Sequence, residues 1–191
     1  MIWMQNAERS TKERSEAELE ALILRMAGGE RESLAELYRR TRAAVYGLAL
    51  SYLKNPADAE DVCQDAFVRA WNAAPDYVPR GHAMSWLLTI VKHLSLDQLR
   101  RKSRETALDE EQWQQLPADG TSQLSLEDRS LLEFLMQDLS EEESRIVCLH
   151  AVAGLKHREI AELTGLGLST VLSKYHRSLK KLKDRMEGEN R

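Results

Sequence analysis

The sequence predicts an all-α protein of two small helical domains joined by a flexible acidic linker, the second a helix-turn-helix (winged-helix-like) domain. Three observations lead there. Apolar residues recur at helical spacing through most of the 191 positions. Only nine glycines and four prolines interrupt them, too few for an architecture of many turns. Between residues 105 and 124 the periodicity fades. That gap separates a block at 16–104, preceded by a flexible N-terminus at 1–15, from a block at 125–188. At 42% hydrophobic residues, both blocks can bury cores.

In the first block, Leu19, Leu22, Ile23 and Met26 fall at i, i+3, i+4 and i+7, and Gly28-Gly29 stops the helix they define. Ser33 can cap a second helix with Leu34, Leu37, Tyr38, Val45, Leu48 and Tyr52 along one stripe, broken at Asn55-Pro56. A third starts near Asp58 with Ala59, Val62, Cys63, Ala66, Phe67 and Ala70 inward. Pro75 to Gly81 reads as a loop. The fourth helix runs from about His82 to Lys102, with Leu87, Ile90, Val91 and Leu94 inward. Four such helices make one bundle.

The linker holds Glu105, Asp109, Glu110, Glu111 and Asp119 with no Lys or Arg from 105 to 119, and Leu116-Pro117-Ala118-Asp119-Gly120 looks exposed. Trp113 is its one large hydrophobe. The second block opens near Ser125 with a stripe of Leu131, Phe134, Leu135 and Leu139. Ser140 with Glu143 forms a capping box for the next helix, which ends at Gly154. Two more helices follow, Lys156 to Thr164 and Ser169 to about Met186.

Several function classes drop out. No stretch approaches the roughly 18–20 apolar residues that cross a bilayer, and the charged N-terminus is unlike a secretory signal. Cys63 and Cys148 sit in apolar helical patterns, as buried free thiols in a reducing cytoplasm. No cofactor is called for. Cys148, His150 and His157 could supply zinc ligands by type, but Cys148 and His150 lie about 200° apart on one helix, so a core thiol with surface histidines is the expected arrangement. The net charge of −4 hides segregation: Leu99 to Arg104 and Lys174 to Arg185 are basic while the linker is acidic, which points to several partner surfaces.

The last two helices carry a helix-turn-helix spacing. Ala161 is small where helix backbones cross, Gly165 suits the tight turn, and Val171 can fill the angle. Val171, Tyr175, Leu179, Leu182 and Met186 can pack inward. Thr170, Ser173, Lys174, Arg177, Lys180, Lys181 and Lys183 are left facing outward, as donors for phosphates and base edges. A solvated basic face is the plainer account of these lysines, but the three residues in register favour DNA. The basic end of the fourth helix (Arg100, Arg101, Lys102) equally suits a helix C-terminus, and the acids of the third suit an N-terminus.

Three segments together resemble one family. Asp58-Ala59-Glu60-Asp61-Val62-Cys63-Gln64-Asp65-Ala66-Phe67-Val68-Arg69-Ala70-Trp71 resembles the core-polymerase-binding helix of extracytoplasmic-function sigma factors of the sigma-70 superfamily. Trp86 to Val91 and Asp97 to Arg101 are similar to that family's −10-element helix, and Gly154 to Arg177 to its −35-element helix-turn-helix. The resemblance spans about Glu18 to Leu182.

It implies a sigma factor that binds core RNA polymerase and promoter DNA, directs initiation through −10 and −35 recognition and performs no catalysis itself. Polymerase contact would fall to Asp58, Asp61, Gln64, Asp65, Phe67 and Trp71. The −10 strand would lie on the loop Asp76 to His82 and on Trp86, His93, Asp97, Arg100 and Arg101. The −35 element would be read by Ser169, Thr170, Ser173, Lys174, Arg177 and Lys180. The linker would thread toward the polymerase active centre. Its flexibility predicts that in the free protein the two domains tumble semi-independently, or collapse together when an inhibitor such as an anti-sigma factor holds them. Thr89, His93 and Leu172 depart from the family pattern, so promoter sequence does not carry over. The competing reading is a stand-alone helix-turn-helix regulator with an N-terminal sensing or dimerising domain; such a domain has no need of the motif from Asp58 to Trp71.

Overall fold

No glycine or proline lies between Met1 and Ala27, and nothing in that stretch breaks a helix. Helix α1 accordingly runs Ile2–Ala27 and reaches back through the segment expected to be a flexible 1–15. The computed structural model describes the backbone of residues 2–106 and 138–189, with side chains at 13–104, 138–185 and 187. Of the linker acids, Glu105 falls at the end of the fourth helix, whereas Asp109, Glu110, Glu111 and Asp119, with Trp113 and the stripe Leu131, Phe134 and Leu135, lie outside the described residues.

Gly29, at φ +87°, closes α1 by donating its amide to Met26 O at 2.8 Å. Helix α2 spans Arg31–Leu53 and ends on Lys54 in the left-handed conformation. Ser33 is not its cap: Glu30 holds that position, and Ser33 is the third residue of the helix, buried. Asn55-Pro56, expected as a break, also begins the next helix. Asn55 Oδ1 accepts the Asp58 amide at 3.1 Å, and proline occupies the first turn of α3, Pro56–Ala73. A 3₁₀ turn at Ala74–Asp76 leads through the loop to α4, Ala83–Thr106.

Helix α2 is central. The run Ala44-Val45-Tyr46-Gly47-Leu48-Ala49-Leu50 is buried on every side, between α1, α3 and α4. Leu22 and Ile23 of α1, Val62 and Ala66 of α3, and Leu87, Leu88 and Val91 of α4 complete this core. Ile90 and Leu94, expected inside, are only partly buried, and Leu88 takes the interior place.

In the second block α5, Glu141–Val147, begins with the expected capping box: Ser140 N donates to Glu143 Oε2 at 3.0 Å and Glu143 N to Ser140 Oγ at 3.4 Å. A π turn at Cys148–Val152 extends it to Gly154. Helices α6, His157–Thr164, and α7, Leu168–Glu189, follow. Ile146, Leu149, Leu155, Ile160 and Val171 are fully buried among them.

The two blocks are not held apart. They share one apolar core, and polar contacts reinforce the seam. The Arg145 guanidinium lies 3.7 Å from the centre of the Tyr52 ring, Lys54 pairs with Glu141 at 2.9 Å, and Lys92 Nζ donates to Leu163 O at 2.7 Å. No β-strand occurs among the described residues.

Candidate polymerase and nucleic-acid interfaces

On α3 the buried stripe turns Ala59, Val62, Ala66 and Ala70 inward and leaves Asp61, Gln64 and Asp65 exposed. Val68 stands beside them at 61% exposure, a large apolar side chain on an acidic face. Val68 belongs to the α3 motif, and its place outside the apolar stripe of that helix is the signal in the sequence that marks it as exposed. Asp58 differs. Its carboxylate accepts from Gln98 Nε2 at 3.0 Å and from Lys102, which ties α3 to α4. Phe67 is buried against Tyr38, with ring centroids 4.8 Å apart, and Trp71 packs on the core. These three residues therefore shape the surface, and Asp61, Gln64 and Asp65 present it. The acids also line a cavity of about 410 Å3 with Gln98, Arg101 and Lys102. Arg101, expected with the −10 residues, thus faces the α3 acids.

On α4, Trp86, Thr89, His93, Asp97 and Arg100 follow one another at three- and four-residue steps and share one face. His93, Asp97 and Arg100 are exposed, the last two paired at 2.9 Å. Trp86 is half-buried and meets Tyr77 edge-on, with centroids 4.9 Å apart. Beside this pair a cavity of about 420 Å3 is lined by Asp76, Val78, Arg80, His82, Ser85 and Thr89 together with the two rings. An aromatic wall with polar groups around it suits an unstacked base.

The loop forming this cavity is held from α1. Glu20 Oε1 accepts from Tyr77 OH at 2.8 Å and from the amides of Arg80 and Gly81, both at 2.7 Å. Burial pushes the Glu20 carboxyl up, but those donors outweigh it and hold the group below the usual carboxylate range. Burial, then donation to Glu20, pushes the Tyr77 phenol well above its ordinary value. Glu20 lies far from the loop in sequence and inside an ordinary amphipathic helix, so no local pattern marks it.

In the helix-turn-helix, Gly165 adopts φ +79° and donates to Ala161 O at 2.9 Å, and Val171 is fully buried in the angle. Ser169, Thr170, Ser173, Arg177 and Lys180 are exposed on α7. Lys174 pairs with Glu142 at 2.8 Å and Lys181 with Glu143 at 2.7 Å, so both are partly engaged by α5. Leu179, expected inward, is 43% exposed, and Ser178 takes the interior place by donating its hydroxyl to Lys174 O. Leu172 is 37% exposed at the start of the helix.

Cys63 and Cys148 are buried, and burial pushes each thiol up to about 12. The histidines expected at the surface are half-buried instead. His150 stacks on His157 with centroids 4.4 Å apart, and Tyr175 meets both edge-on. Three aromatic rings thereby pin α7 to α6 and to the π turn. His157 is held below the ordinary histidine value by burial and by the neighbouring His150 and His176.

Comparison with known proteins decides among the readings. The sigma-70 region 2 model matches residues 37–105 and the sigma-70 region 4 model matches 129–182, together more than half of the chain. The chain belongs to the extracytoplasmic-function sigma factors of the sigma-70 superfamily. Curated relatives include the ECF RNA polymerase sigma factor SigK of Mycolicibacterium vanbaalenii, 29% identical over 87% of this chain and 88% of the relative. The SigK of Mycobacterium ulcerans is 26% identical over 90% and 95%. Among solved structures, CnrH in complex with the cytosolic domain of CnrY shares the fold (TM-score 0.58, 23% identity, 90% of this chain and 98% of that one). So does the sigma factor RpoE with the anti-sigma factor NepR from Bartonella quintana (TM-score 0.60, 21% identity, 80% and 96%). This sigma factor therefore directs promoter-specific initiation. A sensing domain in the first half is not favoured, because that half is itself the region 2 match.

Proposed function

We propose that this sigma factor divides its work among three surfaces. The exposed face of α3, with Asp61, Gln64, Asp65 and Val68, docks on a basic surface of core RNA polymerase. The face of α4 from Trp86 to Arg100 and the adjoining loop hold the opened −10 strand. The exposed donors Ser169, Thr170, Ser173, Arg177 and Lys180, with Lys174 once it leaves Glu142, engage the −35 duplex. The chain itself carries out no catalysis and works in the cytoplasm. Residues 105–124 serve as the tether, with bounds of 16–104 and 125–188 for the domains.

The observation that carries this reading is the coincidence of motif and exposure. The residues that the resemblance names as contacts fall mostly on solvent-facing surfaces, and those that fall inside are aromatic or bonded within the protein. Run-off transcription tests it: purified core polymerase with this chain should yield a discrete transcript from the promoter upstream of its own gene. Absence of any promoter-dependent transcript would overturn it. The solved relatives bound to CnrY and NepR support an anti-sigma protein as a further partner here.

A further inference from the structure

A loop of six residues between the 3₁₀ turn and α4 forms one wall of the aromatic cavity, and loops of this kind hold shape only when their backbone groups are satisfied. Here the satisfying group comes from another helix. The Arg80 and Gly81 amides are consecutive and point at the same oxygen, and Gly81 itself adopts φ +73°. Successive amides turned this way make a concavity for an anion. Glu20 fills it with a single oxygen, which also accepts the Tyr77 hydroxyl. Tyr77 in turn sets the edge-on contact with Trp86. A second α1 carboxylate acts nearby, since Glu16 Oε2 accepts the Met84 amide at 3.2 Å at the start of α4. Both cavity rings thus depend on a helix that supplies no wall of its own.

We propose that Glu20 is a positioning residue for strand capture: its carboxylate builds the loop into the shape that receives an unstacked base of the promoter, without touching DNA. This rests on the assignment of the α4 face and its loop to the −10 strand. A carboxylate is suited to the task because its charge strengthens all three bonds at once. Removing it leaves two amides and a phenol competing for water, and Tyr77 loses the anchor that orients it toward Trp86.

The test uses the full chain reconstituted with core polymerase. The probe is a forked DNA from a promoter the parent holoenzyme transcribes, duplex through −35 and single-stranded over the non-template −10 strand, with 2-aminopurine at the unstacked position. E20A should lower affinity for the forked DNA about tenfold and reduce the fluorescence change. Affinity for core polymerase and for a −35 duplex alone should stay within about twofold of the parent. E20Q, which keeps an acceptor without the charge, and Y77F, which removes one of the three bonds, should fall between. Parental forked-DNA affinity in E20A, or in both E20Q and Y77F should E20A fail to fold, overturns the role of Glu20. So does an equal loss toward core polymerase, which would mark a purely structural residue. W86A separates the two levels: if it too binds forked DNA like the parent, the −10 assignment itself is what fails.

Discussion

Two aspartates on the same helix, Asp58 and Asp61, show how one residue type takes different work from its surroundings. Asp58 is partly buried and bonded to Gln98 and Lys102, whereas Asp61 and Asp65 face solvent beside Val68. Reversing the exposed pair, Asp61→Lys with Asp65→Lys, should abolish core-polymerase binding in a pull-down and leave the helical circular dichroism intact. Asp58→Ala should do the converse. It removes two bonds between α3 and α4, costs roughly 1–3 kcal/mol in urea unfolding, and weakens polymerase binding only through that loss. If Asp58→Ala abolished binding at unchanged stability, its carboxylate would have to be a direct contact.

His157 illustrates a titrating residue whose surroundings oppose its charge. Its folded-state value is lowered, so the unfolded chain takes up a proton first as pH falls. Stability is therefore full above the unfolded value of about 6.5. It declines as pH drops below that, and levels off once the folded form also protonates. Melting temperature followed from pH 8 to pH 5.5 should show this decline, and His157→Phe, which keeps a ring against His150 and Tyr175, should flatten it. An unchanged slope in the variant would assign the decline to other groups.

At the scale of an element, α7 separates lysines that are engaged from cations that are free to meet DNA. Lys174 leans on Glu142 and Lys181 on Glu143, so part of their charge is already answered by α5. Arg177 and Lys180 are exposed farther along the helix. Lys180→Ala should weaken binding to every promoter and reduce the salt slope by about one unit, as loss of a phosphate contact does. Arg177→Ala should cost on the order of 1–3 kcal/mol on the preferred −35 sequence and less on a scrambled one, if it reads a base edge. Lys174→Ala should cost less than Arg177→Ala, because its ion pair must break before it can bind. Electrophoretic shifts across a salt series with both duplexes read all three, and an equal loss on the two duplexes for Arg177→Ala would make it a phosphate contact.

Over the whole molecule, the seam between the two blocks is the feature that segment-by-segment reasoning did not anticipate. Tyr52, Lys54 and Lys92 from the first block meet Arg145, Glu141 and the Leu163 carbonyl from the second. Cation–π contacts of this kind are worth about 0.5–2 kcal/mol. Arg145→Ala combined with Lys54→Ala should loosen the seam while each block stays helical. The radius of gyration from small-angle scattering should then rise, and an unchanged radius would mean that the shared apolar core holds the blocks together without these contacts.

The sequence by itself determined the helices, their order and the motifs upon them. Helix periodicity, Gly28-Gly29, Asn55-Pro56 and the Ser140 capping box are short-range signals, written within one or two turns of where they act. The helix-turn-helix was legible for the same reason, since Ala161, Gly165 and Val171 lie within ten residues. What only the tertiary structure decided are the meetings of distant residues. Glu20 with the loop at Tyr77 to Gly81, Asp58 with Lys102, the ring cluster of His150, His157 and Tyr175, and the seam between the blocks all depend on which faces pack together. Spacing along one helix shows which residues share a face, but not what lies opposite. That is why α3 carries a motif of acids in the sequence, and only packing against α4 separates Asp58, which holds the bundle, from Asp61 and Asp65, which face solvent.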